Sequence, residues 1–154
     1  MQTFLPYDNF NLSLEVLDYR RLGKQRVESF QLLNALLGRT ESKGWINHPI
    51  AKMWKGYENA LKLYLNKSIE IWKSQGYNNT MKYEDIKGEI IYPDWFGNED
   101  FHTSHKSNLL RKDYDFYSEY GWKDNPNNPY VWYDTQKKQF YKHIVKTGQK
   151  KYIK

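Results

Sequence analysis

The chain has 154 residues, no cysteine and a formal net charge of +6. Its length suits one domain with a hydrophobic core, and the lack of cysteine excludes disulfides and thiolate metal sites. It contains no run of 18 apolar residues, and its N-terminus has no basic segment followed by an apolar core. We therefore expect a soluble intracellular monomer, cytoplasmic or nuclear, with no membrane span.

The positive charge is concentrated at the C-terminal end of the chain. Residues 134–154 contain seven lysines and one acid, Asp134, which accounts for the whole net charge of +6. A basic tail on a neutral domain is typical of a protein with a polyanionic partner, and a disordered solubilising end has the same composition. We predict a domain over residues 1–133 and a basic C-terminal extension over residues 134–154. The seven lysines are Lys137, Lys138, Lys142, Lys146, Lys150, Lys151 and Lys154.

The first part of the chain predicts a short arm followed by helix. A proline and a polar Asp-Asn pair indicate an extended arm over residues 1–10. The spacing is then helical from Asn11, interpreted as an N-cap, to Leu37, where a glycine ends the helix. An internal glycine with polar neighbours divides this stretch into helices near 12–17 and 19–37.

One face of the second of these helices carries a carboxylate among cations. Arg21, Lys24 and Glu28 share a face at 3.6 residues per turn. An ordinary solvated face explains the pattern, because Lys24 and Glu28 form an i,i+4 pair that stabilises a helix by about 0.2–0.5 kcal/mol. A phosphate-binding cluster around a catalytic carboxylate explains it as well. The acid is expected to point away from an apolar stripe made of Val27, Phe30, Leu33 and Leu37.

The middle of the chain predicts a long helix and then an ambiguous segment. Pro49 suits the first turn of a helix, and apolar spacing extends it to about Gln75. Residues 77–97 are punctuated by turn-forming residues, and within them Met81 to Ile90 form either one short helix or a loop.

The last third predicts two more helices and an aromatic segment. Asn98 caps a helix over residues 99–112, and Asp113 begins a short aromatic helix. The aromatic residues 130–133 either dock on the helices or line a base-binding site. Residues 135–146 are expected to form a basic helix.

Three histidines are candidate site residues. His48 stands directly before a helix, either as an ordinary polar N-terminal residue or as a member of a site. His102 and His105 are three residues apart on a helix and hold a metal only with further ligands. Because the chain has no cysteine and no HExxH pattern, a hydrogen-bonded or DNA-facing pair is favoured, and we expect no metal and no cofactor.

Three segments together resemble a known family. Arg26-Val27-Glu28, Gly38-Arg39-Thr40 and Gly44-Trp45-Ile46-Asn47-His48-Pro49 resemble, in order and spacing, the pyrimidine-dimer DNA glycosylase family, the endonuclease V type of phages and bacterial relatives. Gln75-Gly76-Tyr77 is similar to the turn that ends the long helix of that family. His105 to Tyr117 and Pro129 to Tyr133 resemble its later segments, so the resemblance covers about residues 19–133.

The resemblance implies a compact all-α fold, a helical bundle with irregular loops, and a defined chemistry. An N-terminal amine attacks the sugar C1′, an imine forms, and the strand is cleaved by β-elimination. By position Glu28 is the essential carboxylate, and His48 borders the site. The family exposes a small second residue after removal of the initiator Met, whereas Gln2 should retain Met1 here. The nucleophile is therefore Met1, Lys24 or a water molecule activated by Glu28.

We predict a DNA glycosylase with AP-lyase activity that excises damaged or modified pyrimidines from double-stranded DNA. Aromatic residues are 18% of the chain, which leaves rings to stack on unpaired bases. The alternatives are a non-catalytic nucleic-acid-binding module, a monofunctional glycosylase that uses activated water, and a histidine-dependent metal nuclease. The predicted DNA contacts are Arg20, Arg21, Lys24, Arg26, His102, His105, Lys106, Arg111, Trp132 and Tyr133.

Overall fold

The computed structural model describes residues 1–41, 43–144 and 147–153. They divide into two compact units, one of Met1–Phe4 and Asn9–Asp94, the other of Leu5–Asp8 and Trp95–Lys154. The first unit contains α1 (Phe10–Glu15), α2 (Tyr19–Leu36), α3 (Pro49–Trp54) and α4 (Glu58–Ser74). The second contains α5 (Glu99–Lys112), α6 (Tyr114–Tyr117), a 3-10 helix (Ser118–Tyr120), β1 (Val131–Asp134), β2 (Gln139–Ile144) and β3 (Gln149–Tyr152). The predicted all-α fold is therefore wrong, because the protein is mixed α/β.

Two side-chain caps set the starts of the first helices. The Asn9 side chain accepts a hydrogen bond from the Leu12 amide, so α1 begins earlier than the predicted cap at Asn11. The Asp18 side chain accepts from the Arg21 amide and begins α2. Such caps satisfy backbone donors that have no partner within the helix. The predicted division of this stretch into two helices is confirmed, but the break lies before Tyr19, and the predicted divider Gly23 lies inside α2.

The buried face of α2 differs from the predicted apolar stripe. Leu33 is fully buried, whereas Val27 is 43% exposed, Phe30 37% and Leu37 38%. The buried side of the helix instead includes two polar residues, Gln25 and Ser29. This rotation of the helix brings Gln25, and not the predicted stripe, into the interior of the first unit.

The predicted long helix is two helices. Pro49 does begin α3, but α3 ends at Trp54 and α4 begins only at Glu58. Between them Gly56 has a φ of +91°, a left-handed conformation that a glycine adopts at little cost and that a helix cannot continue through. α4 packs on α2 and contributes buried side chains to the core of this unit.

Residues 77–93 contain neither helix nor strand, so the loop alternative is correct. Polar side chains of α4 hold this segment through its backbone. The Asn59 amide donates to the carbonyls of Lys87 and Glu89 at 2.9 Å each. Asn66 both donates to the Glu84 carbonyl and accepts from the Glu84 amide. Side chains of α4 thus supply hydrogen-bond partners to backbone groups of this loop, which has no neighbouring strand to pair with.

The second unit joins helices to a three-stranded antiparallel sheet with the order β1-β2-β3. α5 begins at the predicted cap, since the Asn98 side chain accepts from the Phe101 amide, and α6 follows where the aromatic helix was expected. The helix predicted over residues 135–146 is wrong for the part that the structure describes, because residues 135–138 are a turn and β2 follows. Residues 145 and 146 of that prediction lie outside the described residues. Asp134 accepts from the amides of Gln136 and Lys137 and so closes the turn between β1 and β2.

The basic end of the chain is thus largely strand. Lys142 on β2 lies opposite Lys151 on β3, and Tyr141 lies opposite Tyr152. Lys146 and Lys154, two of the seven lysines of the predicted tail, lie outside the described residues. The predicted domain boundary between residues 133 and 134 stays a prediction. No helix in the described part of the chain is long and apolar enough to cross a membrane.

Candidate active site and nucleic-acid interface

The N-terminal segment lies in the interior of the first unit. Gln2 is 6% exposed, Thr3 1% and Phe4 7%. The Trp54 indole nitrogen of α3 donates to the Thr3 hydroxyl at 3.0 Å, and both side chains are buried. A terminal segment usually frays unless it is anchored, so these contacts place the amino terminus in a defined position.

Gln25 of α2 makes the largest set of contacts with this segment. Its Oε1 accepts from the Phe4 amide at 2.9 Å, and its Nε2 donates to the Gln2 carbonyl at 2.8 Å. The Tyr64 hydroxyl of α4 donates to the same Oε1 at 2.6 Å. Gln25 is 1% exposed, so the hydrogen-bonding needs of a buried carboxamide are met by the amino-terminal backbone and one tyrosine.

Glu28 lies one turn after Gln25 and is electrostatically coupled to this cluster. Burial, and then the negative charge of Glu28, raise the pKa of Tyr64 well above its usual value. The Tyr64 hydroxyl also lies 2.9 Å from the Phe4 carbonyl. Glu28 itself is only half-buried. A carboxylate therefore stands at the surface of the same cluster that anchors the amino terminus.

His48 is the N-cap of α3 and belongs to the same region. Its Nδ1 accepts from the Ile50 amide at 3.1 Å, which leaves the ring proton on Nε2. Desolvation, and then the positive charge of the amino terminus, lower the pKa of His48. The ring is therefore neutral at physiological pH and acts as a hydrogen-bond donor through Nε2. The amino terminus is thus electrostatically coupled to His48, and Glu28 is coupled to Tyr64. The site roles of Met1, Glu28 and His48 stay predictions.

The cations of α2 do not all point to one place. Arg20 and Lys24 are exposed, and Arg21 forms an ion pair with Asp18 at 3.1 Å. Arg26 instead covers the Trp72 ring, with its guanidinium carbon 4.4 Å from the ring centroid, and burial lowers the pKa of Arg26. Of the four α2 cations predicted to bind DNA, Arg26 therefore faces Trp72 on α4, and the DNA contacts of Arg20, Arg21 and Lys24 stay predictions.

Residues 1–85 match the sequence model of the pyrimidine dimer DNA glycosylase family. The chain belongs to this family. The match covers more than half of the chain, and it confirms the resemblance drawn from the motifs. The comparisons with curated proteins and with solved structures give no match.

Membership in the pyrimidine dimer DNA glycosylase family identifies DNA as the substrate class of the chain. Met1, Glu28 and His48 all fall inside the matched residues 1–85. The β-strands and the two buried histidines lie beyond them.

His102 and His105, predicted as DNA-facing, are interior residues of the second unit. His105 is fully buried, and its Nδ1 accepts from the Leu5 amide at 2.9 Å. His102 is 5% exposed, with Nδ1 2.7 Å from the Leu5 carbonyl and Nε2 accepting from the Gly97 amide. Both rings bind the chain itself, so we do not place them in the proposed DNA interface. In the described residues, no group of three potential ligands is arranged to hold a metal ion.

The other predicted DNA contacts of the second unit have partners within it. The Lys106 ammonium lies 4.6 Å from the Tyr7 ring centroid, and Arg111 donates to the Pro126 carbonyl at 3.2 Å. Trp132 and Tyr133 are on β1, where each is half-buried. These residues remain proposals as DNA contacts.

The sequence prediction missed Gln25 and Tyr64, two of the buried side chains that hold the amino terminus. The sequence did contain a signal for Gln25, because it shares a helix face with the buried leucines Leu22 and Leu32. Tyr64 falls within the long helix that apolar spacing predicted, but the partner of its hydroxyl could not be inferred from spacing.

Proposed function

We propose that the chain is a bifunctional glycosylase and AP lyase that removes damaged or modified pyrimidines, of the pyrimidine-dimer type, from double-stranded DNA, with the Met1 amine as nucleophile. The observation that supports this most is the anchoring of residues 2–4 inside the first unit, beside Glu28 and His48. An amine that is held in place beside its target reacts faster, because its orientation is already fixed. Lys24, the alternative amine, is exposed on α2, whereas nucleophilic lysines are generally desolvated.

In the first step, the lone pair of the Met1 nitrogen attacks C1′ of the damaged nucleotide. A bond forms between nitrogen and C1′, and the bond from C1′ to the base breaks, with its electron pair leaving on the base. One proton then leaves the nitrogen, and the nitrogen lone pair forms a C=N bond as the bond from C1′ to the ring oxygen breaks, with its electron pair on that oxygen. The ring oxygen takes up a proton, and loss of the second nitrogen proton gives the imine between Met1 and C1′. Glu28 stabilises the positive charge that develops on the sugar while the base departs.

In the second step, the strand is cut by β-elimination. A proton is removed from C2′, the bond from C3′ to its oxygen breaks, and the 3′ phosphate leaves with the electron pair. Water then hydrolyses the imine and frees Met1. The Nε2 proton of His48 suits a hydrogen bond to a sugar or phosphate oxygen, because the neutral ring is a donor at that atom.

Access to C1′ requires an opened duplex. A nucleotide inside the stack must be extruded at a cost of a few kcal/mol, which is smallest for damaged pairs. We propose Arg20, Arg21 and Lys24 as the phosphate contacts of this site, since they are at least partly exposed on the helix that carries Glu28. Arg26 supports the helix through Trp72 instead of contacting a phosphate.

Reductive trapping tests this function. The protein is incubated with a duplex containing one thymine dimer in the presence of borohydride, and an undamaged duplex is the control. We expect a covalent adduct with the damaged duplex, and peptide mapping should place it on Met1. A protein with one extra residue before Met1 should form much less adduct. Base release without any adduct would instead support a monofunctional glycosylase that uses water.

A further inference from the structure

Gln25 bridges two backbone groups that flank Thr3. One carboxamide accepts from the amide of residue 4 and donates to the carbonyl of residue 2, at 2.9 and 2.8 Å. It thus pairs with the amino terminus as a peptide group of a neighbouring strand would. Because the carboxamide has one donor end and one acceptor end, this pairing is possible in only one orientation.

The orientation of that carboxamide is itself held from a second helix. The Tyr64 hydroxyl of α4 donates to Gln25 Oε1 at 2.6 Å, the same atom that accepts from the Phe4 amide. Because a backbone amide can only donate, this end of the carboxamide is the acceptor. Gln25 and Tyr64 are 1% and 0% exposed, so solvent cannot replace either contact. α2 and α4 together therefore determine where the carbonyl of Gln2 lies.

Packing alone does not require a glutamine at this position. The neighbouring buried positions of α2 include Leu22 and Leu32, and an apolar side chain would fill the same space without the cost of burying a carboxamide. The cost of burying Gln25 is offset only if the backbone of residues 2–4 is present to receive its hydrogen bonds. We therefore interpret the glutamine at this position as a hydrogen-bonding partner for the amino-terminal backbone.

We propose that Gln25 is the positioning residue for the Met1 nucleophile. The proposal rests on the proposed function, because it assumes that Met1 reacts. With the Gln2 carbonyl held, only the few bonds between it and the Met1 amine remain to be ordered in the complex with DNA. Holding a reactive group in this way speeds the chemical step, and a displacement of about 1 Å can cost about 100-fold in rate.

The test compares single-turnover rates of borohydride trapping on a duplex that contains an abasic site. Gln25→Met keeps the side-chain length and removes all three hydrogen bonds. We expect its trapping rate constant to fall about 100-fold. Its dissociation constant for the duplex should change little, because Gln25 is buried and contacts no phosphate. Ile69→Ala is the matched control, since it opens a cavity in α4 of the same unit and removes no hydrogen bond of residues 1–4, because an isoleucine side chain forms none.

Two further measurements separate positioning from stability. Circular dichroism identifies a temperature at which every variant is folded, and trapping is measured there. Tyr64→Phe keeps the ring and removes only the hydroxyl, so it should slow trapping less than Gln25→Met. If Gln25→Met and Ile69→Ala trap at equal rates, Gln25 has no positioning role. If the wild-type protein forms no adduct, the proposed function is wrong. That outcome differs from equal trapping rates in the two variants, which would contradict only the positioning role.

Discussion

His105 should make the folded protein sensitive to mild acid. Burial, and then the charge of His102, lower the pKa of His105 from 6.5 to about 3. Protonation would also remove the hydrogen bond in which Nδ1 accepts from the Leu5 amide. Because the folded state takes up this proton less readily than the unfolded state, stability is complete above pH 6.5. It falls as the pH drops through 6.5 toward 3.

The size of the effect follows from the two pKa values. With 6.5 in the unfolded chain and about 3 in the folded one, His105 alone should lower the free energy of unfolding by about 2 kcal/mol between pH 7 and pH 5. A change of that size is a large fraction of the stability of an ordinary domain, which is about 5–15 kcal/mol.

Urea unfolding at pH 7 and pH 5 measures this difference. In His105→Asn the amide oxygen can accept from the Leu5 amide without titrating, so the decrease between the two pH values should be about 2 kcal/mol smaller than in the wild-type protein. His143→Asn, at an exposed position on β2, is the matched control and should behave like the wild type. Equal pH dependence in wild type and His105→Asn would show that the ring does not remain neutral in the folded state.

Three other outcomes are expected. Glu28→Gln should reduce base release about 100-fold or more while duplex affinity stays the same or rises slightly, and turnover equal to wild type would remove Glu28 from the chemistry. Replacing Lys142 and Lys151 together by Gln should make the slope of log affinity against log salt concentration shallower by about 0.9 for each phosphate that these lysines neutralise. An unchanged slope would mean that this part of the sheet does not bind DNA. Gly23→Leu should destabilise the protein by about 1–3 kcal/mol in urea unfolding, because even a Cβ at this position would lie 3.0 Å from the Trp72 ring.

The candidate site was predicted in part from local motifs. Glu28 and His48 were predicted because their motifs resemble those of the family in order and spacing along the chain. Both residues lie within the family match over residues 1–85, and their catalytic roles stay predictions. The direction of the α2 cations was not predicted, since the Arg26 side chain stacks on the Trp72 ring. Which way an arginine on a helix turns depends on the ring that a second helix places beside it, and helical spacing carries no such information.

The sheet was missed for a physical reason. β1 and β3 have four residues each and β2 has six, and their lysines are also good helix formers. Strands this short are stable only when they pair, so their existence depends on partners rather than on local propensity. Turn signals at Asp134 and Gly148 were present in the sequence, and at Gly148 the φ of +69° does require the left-handed region.

The sequence by itself determined the elements that depend on neighbours a few residues away. α5 lies where it was predicted because Asn98 caps it through a hydrogen bond three residues along the chain. The tertiary structure alone decided that Gln25 would be buried while Val27 would not. A carboxamide is stable in the interior only where distant groups satisfy it. Those groups come from residues 2–4 and from Tyr64, 21 or more residues away in the chain.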